Sequence, residues 1–290
     1  MSSHNTLQSI LQRKGLRCNG MPVVMGILNC TPDSFYEGSR KQTEKEIAER
    51  ADGILREGGT IIDIGAFSTR PGAGEVSEEE ELRRMSFALE VVRRSHPDAM
   101  LSIDTYRPAV ARMAVEEYGA DIINDVSEGG ITGIVDKPLE GEKNEGGVPA
   151  MFAEVARLGI PYILMSVQPD METMLRNFRK EVETLRGLGV RDIILDPGYG
   201  FGKDVIKGNY GILHRQKEIK AAFPELPLLA GMSRKRMIWQ LLGGTAQDDS
   251  AMRGTMLANL AAIQNGADIL RVHDVKEARE TILMANELNY

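Results

Sequence analysis

Eight short apolar segments rich in β-branched residues recur along this 290-residue chain, most of them separated by room for one helix. They cover residues 23–28, 60–64, 100–103, 122–123, 162–165, 192–195, 228–230 and 269–272. The stretches between them repeat apolar residues at helical spacing. Ile47, Ala51, Ile54 and Leu55 form one stripe, and Leu82, Met85, Leu89 and Val92 another. Val110, Ala114 and Val115 follow Pro108, which a helix start tolerates. Val182, Leu185 and Leu188 mark a further helix, and Leu257, Leu260, Ala261 and Gln264 a late one. Strands alternating with helices build a parallel sheet, and eight repeats predict its closure. The expected fold is α/β: a TIM (β/α)8 barrel, a single domain over residues 22–290, behind a polar N-terminal segment, 1–21. Gly119, Gly189 and Gly266 each end a helix just before a strand, in keeping with this. An open doubly wound sheet is the alternative and would usually need fewer strands. Residues 127–147 break the rhythm with glycines and mixed charge, and read as a solvated insertion.

Charge narrows the partners. With 35 basic and 42 acidic side chains the net is −7, which disfavours nucleic acid as a ligand. Any anionic ligand must be held by a local cluster of cations. No apolar run approaches the ~18 residues of a membrane span, and the first fourteen residues lack a signal-peptide core. Cys18 and Cys30 stand outside any CxxC pattern, so a reducing, cytoplasmic setting is expected.

In a closed barrel the chemistry sits at the carboxyl ends of the strands. Those ends carry Asn29, Asp63, Asp104, Asn124-Asp125, Asp196, Ser233-Arg234-Lys235 and Arg271-Val272-His273. Residues two apart share a face, so Asp104, Asn124, Asp196 and Arg271 converge on one mouth if their faces point inward. Each such group left unpaired would cost roughly 1–3 kcal/mol, which argues for a ligand. Internal pairing of Asp104 or Asp196 with Lys235 or Arg271 is the structural alternative. Carboxylates beside a carboxamide suit a flat heterocycle with adjacent N–H donors, and a guanidinium can stack on such a ring. Asn29, Arg70, Arg271 and His273 would form a rim for an anionic tail.

Other motifs fail on inspection. The run from Asp196 to Asp204 has Pro197 where a phosphate loop needs glycine, and Asp204 where it needs Ser or Thr. Its glycines also lack the dinucleotide spacing. Four histidines without a His-x-x-x-His or Cys-x-x-Cys pattern do not make a zinc site, although a hard cation held largely by substrate phosphates remains open. Trp239 and the fifteen methionines read as core filler.

Seven segments in order bear a family resemblance. They are 25–35 (MGILNCTPDSF), 63–73 (DIGAFSTRPGA), 102–106 (SIDTY), 121–126 (DIINDV), 195–203 (LDPGYGFGK), 231–235 (GMSRK) and 271–275 (RVHDV). Together they resemble the dihydropteroate synthases, pterin-binding enzymes, over nearly the whole chain. The resemblance implies condensation of 6-hydroxymethyl-7,8-dihydropterin pyrophosphate with 4-aminobenzoate, giving 7,8-dihydropteroate and pyrophosphate on the route to folate. It also implies Mg2+, a homodimer and membership of a class of sulfonamide targets. Position by position, Asp104, Asn124, Asp196, Lys235 and Arg271 match the pterin set. Asn29, Thr69, Arg70, Arg271 and His273 match the pyrophosphate set, with Asn29 at the metal. Thr69, Pro71, Phe201 and Ser233 match the aminobenzoate set, and Asp104, Lys235, Arg70 and Asp33 the catalytic set. Family members often carry Glu where this chain has Phe67, and His where it has Ser166. A weak aniline nucleophile favours ionising the carbon–oxygen bond first, with a fixed carboxylate stabilising the cation.

Three alternatives share parts of this pattern. A pterin-binding methyltransferase would not need Thr69 to Gly72 or Ser233 to Lys235. A non-catalytic paralogue would be expected to lack Asp33, Arg70 or Lys235, and all three are present. A Schiff-base aldolase would use Lys235 as its amine.

Overall fold

The strand-and-helix rhythm resolves into a ring of eight parallel strands. The computed structural model describes residues 3–30, 40–67, 76–129 and 147–288. In chain order the first half runs α1 (Ser3–Gln12), β1 (Val23–Asn29), α2 (Arg40–Arg56), β2 (Ile61–Gly65), α3 (Glu78–Ser95), β3 (Leu101–Asp104), α4 (Pro108–Tyr118), β4 (Ile122–Asp125) and α5 (Ala150–Leu158). The second half runs β5 (Tyr162–Met165), α6 (Met171–Gly187), β6 (Ile193–Asp196), α7 (Lys207–Arg215), α8 (Lys217–Ala222), β7 (Leu229–Ala230), α9 (Arg236–Trp239), α10 (Asp249–Gln264), β8 (Ile269–Val272) and α11 (Val275–Leu288). The strand order is β6-β5-β4-β3-β2-β1-β8-β7. A parallel bridge between Leu195 and Leu228 joins the two ends, so the sheet closes as the TIM-barrel reading expects.

Local chemistry sets the element boundaries. Ser77 caps α3 by accepting from Glu80 N, and Asp170 caps α6 by accepting from Thr173 N. Pro108 opens α4, and Gly119 closes it in the left-handed conformation at φ 63°. Helix α2 lies tight against β1: a Cβ on Gly26 would meet Ile54 at 2.5 Å, so only glycine fits there.

Strand alternation divides the core into two shells. Val24, Leu28, Ile62, Ile64, Leu101, Ile103, Ile123, Leu164 and Leu270 face outward and pack under the helices. Val23, Met25, Ile61, Met100, Ile122, Ile163, Ile194, Leu229 and Ile269 face inward and form an apolar floor. Leu7, Ile10 and Leu11 of α1 and nearby Cys18 complete that floor. The segment set apart as polar thus supplies three side chains at most 1% exposed. Its charges lie in the turn just past the helix, where Arg13 pairs with Asp192 and Lys14 with Asp121.

The late helix needs a correction. Its periodicity is right, but its buried face is Ala251, Thr255, Ala258, Asn259 and Ala262. Leu257, from the predicted stripe, is 70% exposed. Small residues let α10 sit close to the barrel, which leaves the larger ones outside. Among the described residues no helix is long and apolar enough to cross a membrane.

Candidate active site

Directly above the floor the interior turns polar. Two residues on from their floor residues, β2 presents Asp63, β4 Asn124, β6 Asp196 and β8 Arg271, while β3 presents Ser102 and Asp104. The parallel register sets Asp63 beside Ser102 and Asp104 beside Asn124. The shared inward face expected from alternation is therefore present.

Arg271 is the hub. Its Nε donates to Asp63 Oδ2 at 2.6 Å and its Nη2 to Asp104 Oδ2 at 2.5 Å. Asn124 Nδ2 donates to both Asp63 oxygens, at 3.3 and 3.2 Å. Burial alone would lower the Arg271 pKa, but Asp63 and Asp104 more than offset this and raise it. After these bonds, Asp104 Oδ1, Asn124 Oδ1 and Ser102 Oγ are buried and find no hydrogen-bond partner among the described residues. Two of these atoms can only accept, so the group that satisfies them must bring donors.

Opposite them, Asp196 accepts from Gly198 N at 2.7 Å. Lys235 Nζ donates to Tyr199 O at 2.5 Å and lies 4.5 Å from the Phe201 ring centroid. Burial pushes the Asp104 carboxyl up to about 7; Arg271 opposes this shift and Asp63 adds to it. Burial also raises Asp196, against the pull of Lys235. The Lys235 ammonium is brought down to about 8 by burial, with Asp196 opposing. One buried cluster thus mixes a carboxyl and an amine whose proton affinities have nearly converged.

The glycine run after β6 serves packing. Gly198 and Gly202 have positive φ, and a Cβ on either would lie 2.0 Å from Ser166 O or 1.9 Å from Val167 O. Lys203 Nζ ties the same loop down through Ser166 O at 3.1 Å, Gly198 O at 3.0 Å and Phe201 O at 3.0 Å. That seats Phe201 against Lys235. At the ends of β7 and β8, Ser233 Oγ accepts from His273 N and pairs with His273 Nδ1, both at 3.0 Å. Arg234 turns away at φ 52° to grip Asp274 at 2.7 and 2.8 Å.

The structure brings together Asp104, Asn124, Asp196, Lys235 and Arg271, places Phe201 on Lys235, and joins Ser233 to His273. Arg271 lies inside the barrel, paired with two carboxylates, and does not project from the rim. Asn29 ends β1 at an exposed position, with its Oδ1 3.5 Å from where a Gly65 Cβ would stand. Asp33, Thr69, Arg70 and Pro71 lie outside the described residues. Asp63 was recognised on its strand but not assigned to the site; its place two residues beyond Ile61 was the available signal.

The expected solvated insertion is corrected where it begins. Ser127 and Glu128 are fully buried. Ser127 N and Gly129 N donate to the Asp125 carboxylate at 2.8 and 2.9 Å, as does the Tyr162 hydroxyl at 2.6 Å. Buried carboxylate oxygens need such donors, and this holds the start of the segment inside. Residues 130–146 lie outside the described residues.

A metal ion has a modest place here. Among the described residues no group of three or more His, Cys, Asp and Glu could hold one. Asn29 offers a single hard oxygen at the mouth, which fits a cation bound mainly through substrate phosphates.

Comparison with known proteins covers most of the chain. Residues 25–273 match the model of a family described as pterin binding enzyme. The dihydropteroate synthase of Escherichia coli strain K12 is 36% identical over 276 residues, which cover 90% of this chain and 89% of the relative. A crystal structure of dihydropteroate synthase from Clostridium difficile, in the presence of pteroic acid, superposes with a TM-score of 0.81 at 32% identity, covering 94% of this chain and 98% of that one. The Yersinia pestis dihydropteroate synthase in complex with a sulfonamide drug gives 0.76 at 34% identity, covering 94% and 98%.

Proposed function

This chain belongs to the pterin-binding enzyme family, among its dihydropteroate synthases, and from that premise we propose how its own residues carry the reaction. The substrates are 6-hydroxymethyl-7,8-dihydropterin pyrophosphate and 4-aminobenzoate, and the products 7,8-dihydropteroate and pyrophosphate. The observation carrying the site assignment is the pair of unsatisfied buried acceptors, Asp104 Oδ1 and Asn124 Oδ1, facing Asp196 and Lys235. The N–H groups of a pterin ring supply what those acceptors lack.

Asp104, Asn124, Asp196, Lys235 and Arg271 bind the ring. Asn29, Thr69, Arg70, Arg271 and His273 take the diphosphate, and Thr69, Pro71, Phe201 and Ser233 take the aminobenzoate. The bond from the exocyclic carbon to the bridging oxygen breaks first, and its electron pair leaves with pyrophosphate. Asp104 stabilises the resulting cation electrostatically, and Asp33 and Arg70 complete the proposed catalytic set. The aniline nitrogen then attacks that carbon and loses its proton to solvent or to the departing pyrophosphate. Asn29 would help hold Mg2+ brought in with the diphosphate, and the ion would supply charge neutralisation to the leaving group. Lys235 keeps an ammonium between Asp196 and Phe201, which orients the ring and walls off the second substrate.

The test is a coupled assay of diphosphate release. Release should require both the pterin substrate and 4-aminobenzoate and should rise with Mg2+. Release independent of 4-aminobenzoate would overturn the condensation.

A homodimer suits the outer surface. Leu257 on α10 and Leu283, Met284 and Leu288 on α11 are large apolar residues left exposed on two helices that pack together. The two free, buried cysteines suit the cytoplasm.

A further inference from the structure

Asp63 is wholly buried, and among the described residues its carboxylate accepts from Arg271 and Asn124. We infer that Asp63 is a positioning residue that sets the hydrogen-bond polarity of the pocket: by accepting from the Asn124 amide nitrogen, it obliges Asn124 to present its oxygen to the ring. This inference rests on the pterin-binding reading above and deepens it.

A carboxamide has a donor end and an acceptor end of nearly the same shape, so packing alone cannot orient it. An ionised carboxylate can only accept. Both Asp63 oxygens lie 3.2–3.3 Å from Asn124 Nδ2, so the reversed amide would set oxygen against oxygen. The consequence is the unpartnered Asn124 Oδ1 on the cavity side. The same carboxylate takes Arg271 Nε, which leaves Nη2 to hold Asp104 Oδ2 and turns Asp104 Oδ1 toward the cavity as well. One buried group therefore orients both acceptors, and so selects for a ring edge that donates.

Substitution reverses this logic in a readable way. In Asp63→Asn the new amide keeps its oxygen on Arg271 Nε and turns its nitrogen to Asn124. Two amide nitrogens then face each other, and Asn124 must flip its own nitrogen into the cavity. In the exchange variant, Asp63→Asn with Asn124→Asp, the nitrogen at position 63 donates to a carboxylate at position 124. That carboxylate keeps a free oxygen facing the ring, with net charge unchanged. Only a polarity-setting role predicts that the second change repairs the first.

The experiment measures calorimetric affinity for 6-hydroxymethyl-7,8-dihydropterin pyrophosphate, steady-state constants for both substrates, and thermal unfolding as a check on folding. Asp63→Asn should bind the pterin substrate at least about tenfold more weakly, the scale of one lost buried hydrogen bond. Its KM for 4-aminobenzoate should stay within about twofold, because Phe201 and Ser233 share no hydrogen bond with Asp63 among the described residues. The exchange variant should recover most of the pterin affinity. Parental affinity in Asp63→Asn, or an exchange variant no better than the single one, would overturn the inference. Should the single variant not fold, the exchange variant alone decides: near-parental affinity supports the assignment, and weak affinity removes it. A parental enzyme that makes no dihydropteroate would instead overturn the functional reading.

Discussion

Arg271 Nη2 lies 2.5 Å from Asp104 Oδ2, so the carboxylate assigned to the cation is already tethered by one oxygen, while the other has no partner among the described residues. A fixed dipole of this kind lowers a barrier without reorganising during reaction. Asp104→Asn keeps the volume and can still accept from Arg271, but removes the charge. Turnover should fall by about 10²–10³, the usual loss for a dedicated electrostatic group, while pterin affinity falls far less. Steady-state kinetics beside calorimetry separates the two, and an unchanged turnover number would release Asp104 from the role.

Removing the hub should cost both folding and binding. Arg271→Ala leaves Asp63 and Asp104 buried without their counter-charge, which is worth about 3–5 kcal/mol where a buried pair is broken. The melting temperature should drop, and affinity for the pyrophosphate-bearing substrate should weaken. Equal affinity in mutant and parent would take Arg271 out of the site.

The pH profile follows from two shifted groups. Asp104 must be ionised to stabilise a cation, and with its carboxyl pushed up to about 7 the active form is lost as pH falls below that point. Lys235 must be protonated to pair with Asp196, and with its ammonium brought down to about 8 that form is lost as pH rises above it. The profile of kcat/KM should be a narrow bell between those limits. A rate level from pH 5 to 7 would show that Asp104 ionises lower and acts otherwise.

Stability should carry its own pH dependence through Glu181. Burial, with Glu128 adjacent, pushes its carboxyl up to about 9 from 4.5. Between those values the folded chain holds a proton that the unfolded chain has released, so stability declines as pH rises across the window. Glu181→Gln imitates the protonated acid and removes the penalty. Its melting temperature should exceed the parent's by several degrees at pH 8.5, at roughly 1–2 kcal/mol, and match it near pH 4.5. A gain of equal size at both pH values would trace the effect to packing.

A charge among these exposed apolar residues of α10 and α11 tests the dimer. Leu257→Glu leaves the buried face of α10 untouched, since Leu257 is 70% exposed. Sedimentation should report monomers with an unchanged far-ultraviolet spectrum, and a persistent dimer would move the interface elsewhere.

Strand positions were legible because alternation and β-branching act locally: 162–165 and 269–272 coincide with β5 and β8. The polar mouth was legible for the same reason, as period-two geometry carries Asp104, Asn124, Asp196 and Arg271 inward once the floor residues are identified. What stayed hidden depended on partners distant in sequence. Asp63 looks like one more strand acid until Arg271, 208 positions later, is found on it. Gly198 and Gly202 resembled a failed phosphate loop because their reason for being glycine is the backbone at Ser166 and Val167. On α10, apolar spacing marks a helix but cannot tell which apolar face meets the barrel and which meets another surface.

Helix α1 shares one apolar cluster with residues of seven strands and with Met100, just before β3, although it precedes all eight strands in the sequence. A nascent chain emerging from the ribosome therefore cannot seat Leu7, Ile10 and Leu11 until Ile269 has been translated, some 260 residues later. The earliest helix made has to wait, apolar and unsheltered, for the last strand. The sealing of the ring and the docking of this plug should form one late, long-range event, the step at which a translating or refolding molecule is most open to capture by chaperones.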